Sequence, residues 1–228
     1  YGALVGADFP AVELKHGWTL LPTAYVGYMG AHQTFANMSM YQNGGQLGGM
    51  ATFMKNDFIG SVLAYGGGYG NDMNVAGYTD TTGNWFAGTA AKVAYNFHPA
   101  KHFVIQPTLL ASYNAFGGQR WHTDFGDMSM RANMLNGVNV APGINFIYGR
   151  ETWSVYATVQ YFYNILGYST GRAGNVDLPG VEMRHGFLEY GIGVTKSWKD
   201  RFSGYLQIVL RNGGRTGIGF QGGFMYRL

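Results

Sequence analysis

The chain has 228 residues, no cysteine and a formal net charge of +3. Without cysteine there is no disulfide scaffold and no thiolate metal site, and a small charge spread along the chain leaves no nucleic-acid footprint. Charged residues make up only 12% against 16% aromatics, about half the charge that a soluble surface carries. So few charges mean that the apolar residues must be hidden in a very large core or in lipid. The mean hydropathy is nevertheless close to zero, and no apolar run approaches the ~18 residues of a transmembrane helix. Strands with one face toward lipid and the other toward water resolve the conflict, and a soluble β-sandwich is the alternative. No signal peptide or initiating Met is present. The chain opens on Tyr1 inside a strand-like segment, as expected of a piece cut from a longer precursor.

In chain order, two-residue alternation bounded by turn residues predicts strands over 1–9, 18–31, 42–55, 57–70, 84–98, 102–116, 138–149, 152–167, 187–199, 201–212 and 217–228. The face of 57–70 is the least clear because of its run Gly66–Gly67–Gly68. In 102–116, Phe103, Ile105, Pro107, Leu109, Ala111 and Tyr113 oppose His102, Gln106, Thr108, Ser112 and Asn114, with Val104 and Leu110 blurring the second face. Pro107 removes a ladder donor and marks an expected bulge. The clearest pattern is 152–167. Trp153, Val155, Ala157, Val159, Tyr161, Tyr163 and Ile165 oppose Ser154, Tyr156, Thr158, Gln160, Phe162 and Asn164.

The connections alternate in length. Lys55–Asn56–Asp57, His98–Pro99–Ala100–Lys101, Gly149–Arg150–Glu151 and Lys199–Asp200 are short and polar. Between them lie expected long loops, rich in Gly, Asn and Asp, at 71–83, 117–137 and 168–186. Short turns at one end and long loops at the other are a property of outer-membrane barrels, and a soluble sandwich has no reason for it. Trp18, Trp85, Tyr95, Phe97, Tyr163, Trp198 and Tyr226 fall near strand ends, where interfacial girdles would sit, although aromatics favour strands in any case.

The segment 217–228 splits into an apolar face (Ile218, Phe220, Phe224, Tyr226, Leu228, with Gly222) and a small or polar one, Met225 apart. It resembles the terminal assembly signal of bacterial outer-membrane proteins, which would assign recognition to Gln221, Gly223, Tyr226 and Leu228. Leu228 departs from the usual terminal aromatic. An antiparallel sheet closes cleanly only with an even strand number, so the eleven predicted strands imply about twelve, the first upstream or missing.

GFLEYGIGVTKSWKDRFSGYLQIVLRNGGRTGIGFQGGFMYRL is similar to the end of the autotransporter β-domain. That family has a Glu opening a Gly-alternating strand (Glu189, Gly191, Gly193), a charged turn (Lys199, Asp200) and a closing strand. YGALVGADFP resembles the family's second strand through Gly6 and Asp8. HFVIQPTLLASY resembles its strand with a Pro after an aromatic start (Phe103, Pro107). The resemblance implies an all-β, antiparallel up-and-down transmembrane β-barrel in the bacterial outer membrane, one domain over 1–228. Its implied role is to anchor, and help export, an N-terminal passenger. The implied partners are the lipid bilayer and lipopolysaccharide, the barrel assembly machinery, and a passenger segment or another chain completing the barrel. No cofactor and no nucleic acid is expected. The alternative is a structural or pore-forming barrel within a larger assembly, without export.

The charges expected to face the lumen are Lys92, Glu189 and Arg211, since a base at mid-depth on a lipid face would cost ~2–4 kcal/mol. They would either contact a threaded segment or satisfy the interior of the lumen. Arg120, His122, Asp124 and Asp127 place a His/Asp pair at the rim, but no serine nucleophile stands in a recognisable frame, and catalysis is not expected. His98 and His102 flank a turn and not a helix, so metal is not expected there.

Overall fold

The computed structural model describes residues 1–35, 38–182, 185–198 and 202–226. Eleven antiparallel strands follow one another in the sheet in chain order. They are β1 Gly2–Asp8, β2 Thr19–Phe35, β3 Met38–Lys55, β4 Phe58–Val75, β5 Tyr78–Tyr95 and β6 Phe103–Phe116. After them come β7 Leu135–Arg150, β8 Trp153–Ala173, β9 Phe187–Trp198, β10 Phe202–Gly213 and β11 Gly217–Tyr226. Each contains the greater part of a strand that alternation places, and several run beyond it. The topology is an up-and-down meander curled into a half-barrel, because β1 and β11 are not paired with each other.

Where long loops are expected, at 71–83, 117–137 and 168–186, the chain forms further strand. Residues 71–83 continue β4 and β5 to a turn at Ala76 and Gly77, whose φ angles are 51° and 92°. Asn71 donates to Thr82 Oγ1 across the pair at 3.2 Å, and Gln42 on β3 donates to Asn71 Oδ1 at 2.7 Å. Polar composition reads as loop, but alternation and cross-strand bonding persist through it. The segment 117–137 contains a hairpin, Gln119–Thr123 with Met128–Ala132, and 168–186 extends β8 against Val176–Glu182. The long connections are therefore raised hairpins. The short turns stand at the opposite end, with Asn56 in the left-handed region at φ 51°.

Proline positions fix the gaps in the ladder. The β5–β6 pairs run from Phe86↔Phe116 to Ala94↔Thr108 and stop at Pro107, which has no N–H to give. Beyond it, the Asn96 N–H donates instead to the Asp57 carbonyl at 2.9 Å, and Gln106 donates to Asn96 Oδ1 at 2.7 Å. The β7–β8 ladder likewise skips from Val140↔Tyr163 to Gly143↔Gln160 around Pro142. There Gln160 donates its side-chain N–H to the Ala141 carbonyl at 3.1 Å.

Register sorts the residues onto two faces. One row reads Ile144, Val159, Tyr190, Leu210, Ile218 across β7 to β11, and the next reads Phe146, Ala157, Ile192, Ile208, Phe220. This outer face is apolar and open, with Leu47 66%, Ile192 67% and Phe220 68% exposed. The rows between them read Asn145, Thr158, Gly191, Val209, Gly219 and form the inner face. Among the described residues no helix is long and apolar enough to cross a membrane, which says nothing about strands.

On the inner face tyrosines stand directly opposite glycines: Tyr25↔Gly48, Tyr65↔Gly88, Tyr156↔Gly193 and Tyr205↔Gly223. Each ring lies over the bare backbone opposite, filling the space that the missing side chain leaves. A Cβ at Gly48 would sit 2.6 Å from the Tyr25 ring and 2.8 Å from the Ala64 carbonyl oxygen, so moving the ring would not clear it. At Gly49, on the outer face, the nearest atom is 3.6 Å away. Gly48→Ala is expected to cost roughly 1–3 kcal/mol and Gly49→Ala less than ~0.5 kcal/mol, read from guanidinium unfolding followed by tryptophan fluorescence. Equal midpoints for the two variants would contradict the interlock.

Candidate functional site

The site is the open seam together with the inner face beside it. Among the described strands, β1 hydrogen-bonds only to β2 and β11 only to β10. Their outer edges are rows of unpaired backbone N–H and C=O groups, a template for another strand. Both edges border one cavity of about 800 Å³, with Gly2, Ala3 and Leu4 on one side and Phe220 to Met225 on the other. Tyr205, Tyr156 and Ser203 line it from the inner face. The two edges thus face each other across a gap.

The segment 217–226 lines this gap through Gln221 and Gly223. Gln221 is opposite Gln207, and Gly223 lies under Tyr205, whose ring carbon would be 2.6 Å from a Cβ there. Tyr226 is on the outer face opposite Phe202 and is exposed. Leu228 lies outside the described residues.

Glu189 and Arg211 are direct cross-strand partners on the inner face, with Arg211 Nε donating to Glu189 Oε2 at 2.6 Å. Their side chains are 18% and 40% exposed respectively. Lys92 is on the same face, opposite Ser61 and Leu110, and makes no ion pair among the described residues. Neutral polar side chains carry most of the remaining network. Asn145 donates to Gln106 Oε1 at 2.8 Å, and Tyr65 hydrogen-bonds to Asn114. A second cavity of about 600 Å³, lined by Tyr25, Gln42, Gln46, Tyr65, Tyr69 and Asn114 among others, opens on this face.

Alternation alone puts Lys92, Glu189 and Arg211 on one face, but Asp8, which accepts from Thr23 on that face, and the Tyr–Gly and Asn–Gln partners depend on register between strands.

The rim hairpin brings His122 Nε2 to 2.9 Å from Asp127 Oδ1, and Ser129 stands opposite His122. The His122 and Asp127 side chains are 55% and 94% exposed. Both side chains are thus open to solvent, whereas acyl transfer needs preorganised N–H donors in a water-excluded site. Arg120 is opposite Arg131 on this hairpin and takes no part. His98 bonds Asp57 at 3.0 Å, and no cluster of metal-ligating side chains occurs among the described residues.

No protein-family model matches this chain, and no curated protein matches it. Solved structures do. The β-domain of the Bordetella autotransporter BrkA is 18% identical with a TM-score of 0.72, over 100% of this chain and 90% of that one. The transport unit of the autotransporter AIDA-I from Escherichia coli is 15% identical with a TM-score of 0.74, over 99% and 81%. The translocator domain of the autotransporter NalP from Neisseria meningitidis is 12% identical with a TM-score of 0.65, over 100% and 81%. At these identities the likeness establishes the fold: this chain has the fold of autotransporter translocator β-domains.

Removing one member of the Glu189–Arg211 pair leaves the other uncompensated on a partly desolvated face. Arg211→Met is expected to lower stability by roughly 1–3 kcal/mol, less than for a fully buried pair because both groups are partly solvated. Adding Glu189→Gln should recover most of the loss. A double variant as unstable as the single one would show that packing, and not the ion pair, is what Arg211 contributes.

Proposed function

We propose that this chain is the outer-membrane β-barrel of an autotransporter-type protein, which anchors and helps export a segment carried N-terminal to the barrel. The carrying observation is the pair of unpaired edges across one cavity, on a sheet whose outer face is open and apolar. In lipid, each unpaired backbone group costs several kcal/mol, so a sheet with this outer face must be closed. One added strand, from upstream residues or from another chain, satisfies both edges and gives the even number that antiparallel closure requires. The short-turn end, where β11 finishes, is then periplasmic, and the raised hairpins face outward. The outer apolar rows meet lipid, with lipopolysaccharide around the hairpins. Gln221, Gly223, Tyr226 and Leu228 form the signal read by the assembly machinery. Lys92, Glu189 and Arg211 line the lumen through which, or beside which, the exported segment passes.

An epitope at the N-terminal end of the intact protein tests export. It should be reached by protease on whole cells, while a barrel that folds normally with its epitope inaccessible would favour the pore-forming alternative. Closure is tested separately by cysteine pairs placed between 2–8 and 217–226. An intervening strand holds these backbones roughly 9–10 Å apart, beyond the ~7 Å limit for a disulfide, so oxidation should yield none. A ready disulfide would mean that the eleven strands close on themselves. For the terminal signal, Tyr226→Asp should sharply reduce the heat-modifiable folded form although its direct cost near the interface is only ~0–1 kcal/mol, and Leu228→Phe should be tolerated.

A further inference from the structure

The outer face is not uniform at the short-turn end. One row there reads Arg150, Trp153, Lys196, Gly204 across β7 to β10. Directly above it, Tyr148, Val155, Val194 and Leu206 form the next row, and Phe146, Ala157, Ile192 and Ile208 the one after. These two rows, with Phe103, Tyr156 and Gly193, line a groove of about 480 Å³. Its floor is Ala157, the one small side chain between Phe146 and Ile192. An apolar groove thus runs up the outer face from a row that carries two cations with a tryptophan between them.

Among the described residues neither cation, Arg150 or Lys196, has an acidic partner. In sequence, Glu151 is the one acid beside Arg150, and the stretch from Lys196 to Arg201 holds three cations and one carboxylate. The opposite side of the barrel differs. There Lys55 is already engaged, 5.8 Å over the Trp18 ring, and the adjoining groove is about 320 Å³. Asp57, next to it, is held by His98 at 3.0 Å.

We infer that this face holds one anionic phospholipid of the periplasmic leaflet, its phosphate between Arg150 and Lys196 beside Trp153 and one acyl chain in the groove over Ala157. The inference rests on the membrane reading, which sets the short-turn end at the periplasmic interface. Two inter-strand spacings, about 9.6 Å, separate the backbones of Arg150 and Lys196, a span that two long side chains close onto one phosphate. Each cation strengthens attraction to an anionic headgroup near a membrane surface. A zwitterionic headgroup would bring its own ammonium against both, which selects the anionic lipid. The apolar rows above supply the chain contact and exclude water, which strengthens the ion pairing below.

The test is native mass spectrometry of the intact protein, extracted from membranes and selected as the heat-modifiable folded form. It would be supplied in turn with phosphatidylglycerol, phosphatidylethanolamine and lipid A. The wild type should retain one phosphatidylglycerol in preference to the other two. Arg150→Gln with Lys196→Gln should weaken that retention about fivefold per cation, about 25-fold together, while Arg150→Lys with Lys196→Arg keeps it. Ala157→Phe, which fills the groove, should weaken retention of both phospholipids. Equal retention of phosphatidylglycerol and phosphatidylethanolamine by the wild type, unchanged retention by the glutamine pair, or preferred lipid A would overturn the site. If no folded form can be extracted from membranes, the barrel reading itself fails. A folded barrel without lipid preference defeats only the lipid site.

Discussion

Backbone hydrogen bonding is the constraint on which the rest of this structure depends. A strand gains its stability by donating and accepting along both sides, and each of the nine interior strands of the meander does so. The places where the ladder fails are those where the chemistry forbids it. Pro107 and Pro142 have no N–H, and at each a nearby amide side chain, Gln106 or Gln160, bonds beside the break. Against that background the two free edges stand out. Among the described strands they are whole rows of groups without a paired strand, on a molecule that elsewhere answers the loss of a single rung.

The two faces explain why those edges matter. In water an open edge is an aggregation hazard but costs little hydrogen-bonding energy, because solvent supplies partners. The outer face of this sheet cannot be at ease in water. Leu47, Ile192 and Phe220 stand out from it with about two thirds of their surface open, and they belong to continuous rows. An apolar surrounding satisfies these rows and at the same time withdraws the solvent that would have served the edges. The sheet therefore poses one demand twice, which a single added strand would meet at both edges.

The alternation of Trp153 to Ile165 against Ser154 to Asn164 was readable because a strand with two different environments writes a period of two into the chain. Pro107 is legible as a missing donor for an equally local reason, but the bulge expected there does not form, because the register runs unchanged across it and only the bonding is interrupted. The Tyr–Gly pairs are not legible in this way. Tyr25 and Gly48 are 23 positions apart and meet only through the β2–β3 register, and nothing in either neighbourhood announces the other. The raised hairpins are hidden from the sequence for a third reason. At 71–83 the side chains turn polar where the strands run beyond the apolar rows, and polarity there looks like loop although Asn71 and Thr82 still pair across it. Composition reports the surroundings of a strand, and the hydrogen-bond ladder runs on regardless of them.

The closing strand shows how one alternation serves several demands at once. Its inner positions, Gly217, Gly219, Gln221 and Gly223, leave room for the Tyr205 ring and for backbone to approach from the gap. Its outer positions, Ile218, Phe220, Phe224 and Tyr226, are apolar and exposed. A strand bulky on both faces would crowd the interlock beneath it, and one polar on both could not sit against lipid. The division of small inside from apolar outside gives an edge that is open to a partner yet committed to one orientation, because a slip of one residue would exchange the two faces. Register at the seam is thus set by the side chains of this strand itself, and a strand added there would have only to satisfy the backbone.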